Sequence, residues 1–167
     1  MRVLEFIPAT RKALRLLSTD PEEFAAEHGV VLHEVSQTVA ENSLKFMRTF
    51  PYETPPEWFG YFAIEADTQR MVGACSFKGP AVDGAVEIAY YTFPEFEGQG
   101  IGTAMAQFLI ERARLLPDVA RVIAHTLREH NGSTRILEKV GMRMTGEAVD
   151  DDTPAWRWEF DLESDLK

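Results

Sequence analysis

The chain is poor in the features that mark several large protein classes. It has one cysteine, Cys75, in 167 residues, so no internal disulfide can form and a reducing compartment is the natural setting. Cys75 lies in the apolar run from Met71 to Phe77 and reads as a small buried hydrophobe rather than a nucleophile. No stretch approaches the roughly 20 apolar residues of a membrane span, and the segment Met1 to Pro8 lacks the apolar core of a signal peptide. The expectation is a soluble, cytoplasmic protein with no membrane partner. Basic residues are also scarce: 17 Lys and Arg stand against 27 Asp and Glu, for a net charge of −10. That balance argues against a nucleic-acid partner. It fits either plain solubility or the attraction of a cationic substrate. Repeats and Gly/Ser linkers are missing too, so residues 1–167 are expected to form one domain. The histidines His28, His33, His125 and His130 show no metal-ligand spacing. His33-Glu34 opens like H-E-x-x-H, but Gln37 stands where the second histidine would be, and no metal is expected.

What the chain does have is periodicity. Residues 2–7 alternate weakly, as a first strand. Helices are predicted over Thr10–Leu17, over Pro21–His28 with Asp20 as N-cap and Pro21 at the first position, and over His33–Met47. The prolines between Phe50 and Pro56 make a loop. The surrounding aromatics Phe46, Phe50, Tyr52 and Trp58 either line a pocket or pack as core, with core favoured. Strands follow at Glu57–Glu65, Arg70–Phe77 and Val86–Phe93, an antiparallel meander. From Gly102 the period becomes 3.6, with Met105, Phe108, Leu109, Ala113 and Leu116 on one face and Pro117 at the stop. A strand at Arg121–Thr126 precedes a short helix with Ile136, Leu137 and Val140 inward and Gly141 at its end. Strands Met142–Val149 and Trp156–Leu162 then flank Asp150-Asp151-Asp152, which reads as a solvated turn. This order implies a mixed α/β sheet with helices on both faces.

Between the Val86–Phe93 strand and the long helix lies Glu97-Gly98-Gln99-Gly100-Ile101-Gly102-Thr103. Alternating glycines let the backbone approach a ligand, and the helix that starts there aims free N–H groups and a positive dipole end at it. That combination suits a phosphate or pyrophosphate. It is not a P-loop, because no Gly-Lys-Ser/Thr follows, and it is a poor dinucleotide fingerprint. By itself the loop reads equally as packing.

The whole stretch from Val86 to Ala104 resembles the fourth strand and cofactor loop of GNAT acetyltransferases, and is most similar to the branch of ribosomal-protein N-terminal (Rim-type) acetyltransferases. Gly100 and Gly102 match the loop's small positions, whereas Glu97 stands where the family has Arg or Gln. A second segment, Thr126 to Met142, resembles the family's "N-x-S-x-R-V-L-E-K-x-G-F". The resemblance implies a mostly antiparallel sheet of six to seven strands, a splayed strand pair, acetyl-CoA as co-substrate and a primary amine on a small molecule or peptide as acceptor. Residues 91–93 (Tyr91, Thr92, Phe93), the loop from Glu97 to Thr103 and Asn131 would then hold the cofactor. Glu97 is repelled by phosphate, so binding would rest on backbone amides. A homodimer through the C-terminal strands is compatible with this.

Acyl transfer to an amine needs a proton acceptor, a donor for the oxyanion and a proton for the thiolate. Glu87 resembles the family's catalytic glutamate; otherwise it is a sheet carboxylate. Asn131 reads as a cofactor contact, as an N-cap, or as both. The family's tyrosine acid, four residues before Gly141, is replaced by Leu137, which leaves Ser133, Tyr90, Tyr91 or water. Tyr90 and Tyr91 read equally as tethered core aromatics. An acyl-CoA-binding sensor without turnover and a binder of some other phosphate ligand are the competing functions.

Overall fold

In the computed structural model, residues 2–163 are described. They form strand β1 (Leu4–Pro8), helices α1 (Arg11–Thr19), α2 (Pro21–His28) and α3 (Ser36–Met47), and strands β2 (Gly60–Glu65), β3 (Arg70–Phe77) and β4 (Ala85–Thr92). Helix α4 (Ile101–Ala113), β5 (Arg121–Leu127), α5 (Gly132–Lys139), β6 (Arg143–Asp150) and β7 (Thr153–Asp161) complete the chain. The strands make one sheet in the order β1-β2-β3-β4-β5-β7-β6. Every neighbouring pair is antiparallel except β4 and β5. No helix of the described residues is long and apolar enough to cross a membrane.

Adjacent side chains on β2 show how the layers are arranged, because successive residues of a strand point to opposite faces. Phe62 meets Phe24 of α2 edge-on at 6.1 Å, whereas Tyr61 meets Phe108 of α4 at 4.9 Å. Helices α1 to α3 therefore cover one face of the sheet and α4 with α5 the other. Both faces bury apolar side chains completely, including Leu17, Phe24 and Phe62 on the first and Met105 and Leu109 on the second.

The predicted helix over His33–Met47 is shorter than expected. It begins at Ser36, because the Ser36 hydroxyl accepts the His33 N–H at 2.9 Å and His33 Nδ1 accepts the Val35 N–H at 3.1 Å, holding 33–35 as a turn. The predicted strand Glu57–Glu65 loses its first residues to a single 3₁₀ turn, Pro56–Trp58, where Pro55 and Pro56 fix the backbone. Phe46 and Tyr52, assigned to the core from sequence, are 39% and 74% exposed. Phe50 and Trp58 do pack against the core. Cys75 is buried, and burial pushes its thiol well above the usual range, as expected of a packing residue.

Candidate active site

The site is organised by a gap in the sheet. Strand β4 pairs with β5 only through Ala85–Glu87 and Arg121–Ile123. Beyond that point β4 stays on β3 as far as Thr92, while β5 stays on β7 as far as Leu127. The two strands separate immediately after Glu87 and Ile123. Lys78 N–H donates to the Glu87 carbonyl and Phe93 N–H to the Val72 carbonyl, so odd-numbered residues of β4 point their backbone groups at β3. Alternation in an antiparallel ladder directs Tyr91 N–H the same way. The N–H groups of Tyr90 and Thr92 instead face the side that β5 has left. Of residues 91–93, which the family resemblance implies hold the cofactor, Tyr91 and Phe93 commit their amides to the sheet, and Thr92 keeps its own for the gap.

On the α4 side of the gap lies the glycine loop. Gly98 and Gly100 have φ of 74° and 83°, in the left-handed region that favours glycine. An added Cβ at either would meet nothing within 4 Å, so open space lies above both. Gly100 caps α4 with no side-chain hydrogen bond, and the first turn holds no acidic residue. The first helical bond runs from Ala104 N–H to Gly100, so the N–H groups of Ile101, Gly102 and Thr103 precede any helical acceptor. Gly102 serves packing instead: a Cβ there would come within 2.6 Å of Ile136 Cδ1 on α5. Glu97 and Gln99 are exposed, and Gln99 Nε2 donates to the Glu95 carbonyl at 3.1 Å. The loop is also pinned from a distance. Because His33 Nδ1 accepts from Val35, its Nε2 carries the proton and donates to Glu95 Oε1 at 3.1 Å. The His33 ring packs against Phe93 and Phe96.

Asn131 is the N-cap of α5. Its Oδ1 accepts the Thr134 N–H at 3.2 Å, and Thr134 Oγ1 accepts the Asn131 N–H at 2.9 Å. Its amide nitrogen donates to Glu129 at 3.2 Å. Tyr90 reaches from β4 to α5, where its hydroxyl donates to the Ser133 carbonyl at 3.4 Å, and burial pushes the phenol up to about 12. A phenol that holds its proton so tightly is a weak acid at neutral pH. Leu137 is fully buried, so the position of the family tyrosine is core here.

The other side of the gap holds a charged cluster. Glu87 Oε2 lies 3.2 Å from Lys78 Nζ and 3.1 Å from His125 Nδ1. Lys78 Nζ is also 4.0 Å from Asp150 Oδ2, brought in by the β6–β7 hairpin tip. The Glu87–His125 contact is close but misaligned: His125 Nδ1 is buried without a well-directed hydrogen-bond partner. Glu87, His125 and Asp150 offer ligand atoms within 4.8 Å of one another, yet the Lys78 ammonium already supplies the positive charge among them. The sequence singled out Glu87 alone. Lys78 and His125 were missed because their roles depend on strand register, although Lys78 directly faces Glu87 across the β3–β4 ladder. Asp150 was expected to be only part of a solvated turn; that holds for the exposed Asp151 and Asp152, whereas Asp150 is half-buried and joins the cluster.

Residues 6–143 match the profile of the family described as Acetyltransferase (GNAT) domain. The chain belongs to the GNAT acetyltransferases. Similar solved structures include a spermidine N-acetyltransferase chimera of Vibrio cholerae SpeG and hSSAT (TM-score 0.67, 13% identity, 98% of each chain covered). Another is the aminoglycoside acetyltransferase AAC(6')-Ib in complex with coenzyme A (TM-score 0.65, 17% identity, 97% of this chain and 96% of that one). The ribosomal-protein-S5-alanine acetyltransferase of Vibrio fischeri, a Rim-type enzyme, is also among them (TM-score 0.60, 11% identity, 95% and 91%). No curated protein sequence matches the chain.

Proposed function

We propose that this GNAT acetyltransferase moves an acetyl group from acetyl-CoA to a primary amine by direct attack in a ternary complex, with residues 1–167 acting as one domain. The observation that carries the reading is the gap between β4 and β5, which joins the uncapped N-terminus of α4 to the Glu87 cluster. The glycine loop fits a CoA pyrophosphate: two glycines sit under open space, and three amides are free of helical acceptors. Gly98, Gln99, Gly100, Ile101 and Thr103 would hold it largely through the backbone, with Glu97 turned to solvent. Acetyl-CoA, when bound, supplies an acetyl thioester whose C–S bond is exchanged for a C–N bond, releasing CoA thiol.

The chain's own groups divide the remaining work. Thr92 N–H, facing the gap, donates to the acyl oxygen. Glu87 takes the amine's proton directly or through one water, and Lys78 holds its carboxylate toward the gap, with the His125 ring lying against it. Tyr90 braces β4 against α5, and solvent or the Ser133 hydroxyl protonates the thiolate. The free edge of β6 is the place for a homodimer contact.

The test separates binding from chemistry. Glu87→Gln is expected to lower kcat/KM by about 10²- to 10⁴-fold, the usual worth of a positioned base, with calorimetric CoA affinity unchanged. Unchanged kcat/KM across the pH range would remove Glu87 from that role. A wild-type chain that binds CoA and releases no thiol with any amine would be an acyl-CoA sensor instead.

A further inference from the structure

A cavity of about 300 Å³ lies between α3 and the sheet face that carries Glu87, at the small end of ligand pockets, roughly 300–1,000 Å³. Its floor exists because side-chain volume is missing there. Gly60, Ser76 and Ala89 follow one another across β2, β3 and β4 in direct register. The trough is built into the sheet, since a Cβ on Gly60 would meet the Cys75 carbonyl at 2.7 Å. Phe46 and Met47 of α3 form part of the roof, which explains why Phe46 is left 39% exposed. Ala89 and Tyr91 carry the cavity along β4 to the stretch that β5 has left.

The charge of the lining is as informative as its shape. Among the described residues no carboxylate lines the cavity, and its charged residue, Lys78, is engaged by Glu87 at 3.2 Å and Asp150 at 4.0 Å. A polycation lying in this trough would bury its distal ammonium groups without anionic partners, which is costly. An apolar body would instead leave water for a surface of Phe, Met and Ala, which is favourable. A peptide would bring a row of amides to a wall whose exposed surface is mostly apolar, although Asn42, Ser43 and Ser76 are among its residues.

We propose that the acyl acceptor is a primary monoamine carried on an apolar body of aromatic-ring size, seated in this trough with its nitrogen toward Glu87 and His125. The inference rests on the acetyltransferase reading above and narrows it to a substrate class. The acidic surface of the chain draws in the single ammonium, and the trough rejects further ones.

The test compares 2-phenylethylamine, spermidine, ethylamine and a short alanine-starting peptide at saturating acetyl-CoA, with calorimetric titration of each amine into the CoA complex. The expected result is a kcat/KM for 2-phenylethylamine at least about 100-fold above that for spermidine or the peptide, with measurable binding of 2-phenylethylamine. Ser43→Phe, which fills the trough from α3, should raise the KM for 2-phenylethylamine at least about tenfold more than that for ethylamine, with CoA affinity unchanged. Preference for spermidine or the peptide would overturn the substrate class and leave the transferase reading standing. So would equal loss of ethylamine and 2-phenylethylamine turnover in Ser43→Phe with CoA affinity intact. If no amine is acetylated the transferase reading fails, and calorimetric binding still decides whether the trough takes 2-phenylethylamine rather than spermidine.

Discussion

Strand β4 presents two faces built in different ways. Toward α4 and α5, Tyr90 and Thr92 lie over a site made mostly of backbone: a glycine loop, a helix N-terminus and the Asn131 cap, all within one continuous segment and its successor. Toward α3, Glu87, Ala89 and Tyr91 lie over a site made of side chains from separate elements. Lys78 follows β3, His125 comes from β5, Asp150 from the tip of the β6–β7 hairpin, and the trough floor from three strands at once. The first kind of site leaves a local motif in the sequence. The second is assembled by register and is invisible until the strands are aligned. In the function proposed above the same division separates cofactor from acceptor, since a fixed ligand suits a fixed backbone cradle and a variable one suits substitutable side chains.

The comparison can be broken most forcefully on the side-chain face. Lys78→Met should lower kcat by about 10- to 100-fold by freeing the Glu87 carboxylate, with the KM for acetyl-CoA unchanged and Lys78→Arg recovering most of the loss. Equal changes in CoA affinity and kcat would show that the two faces are not separable. On the backbone face, Gly100→Ala meets no steric neighbour but must hold φ at 83°, a strain of about 1–2 kcal/mol. Calorimetry should show CoA binding weakened by about tenfold, with the pH profile of kcat unmoved. Glu97→Gln removes an exposed carboxylate near the phosphate site and should tighten CoA binding by about two- to fivefold at low salt. That gain should vanish in high salt, where exposed charges are screened.

The smallest effect belongs to Tyr90, which braces β4 against α5. Tyr90→Phe should leave kcat within about twofold of wild type, because a phenol pushed up to about 12 is not the proton source at neutral pH. The same shift makes a statement about alkaline stability. In the unfolded chain a tyrosine titrates near ~10, so between about 10 and about 12 the unfolded state has lost a proton that the native state keeps. Native stability should fall as pH rises through that window, and Tyr90→Phe should flatten the fall in denaturation experiments.

Much of the fold was legible because hydrophobic period and turn chemistry are local. All seven strands and the α2 cap by Asp20 follow from them, as does the helix after the glycine loop. The start of α3 was not legible, since a serine and a histidine side chain hold the turn before it. Phe46 and Tyr52 were misplaced for a related reason. Aromatic residues around a proline-rich loop look like core, and only the small sheet residues Gly60, Ser76 and Ala89 leave Phe46 facing a cavity. At the site, Glu87 and the glycine loop were readable from the family pattern. Asp150 was hidden in an acidic turn whose other two residues are indeed solvated.

The most direct test of the central claim is amine-dependent thiol release from acetyl-CoA by the wild-type chain, with mass spectrometry of the amine. The account predicts CoA thiol and N-acetylated amine appearing in equal amounts, and both falling together in Glu87→Gln. Thiol release independent of amine, or none at all despite bound CoA, would contradict it.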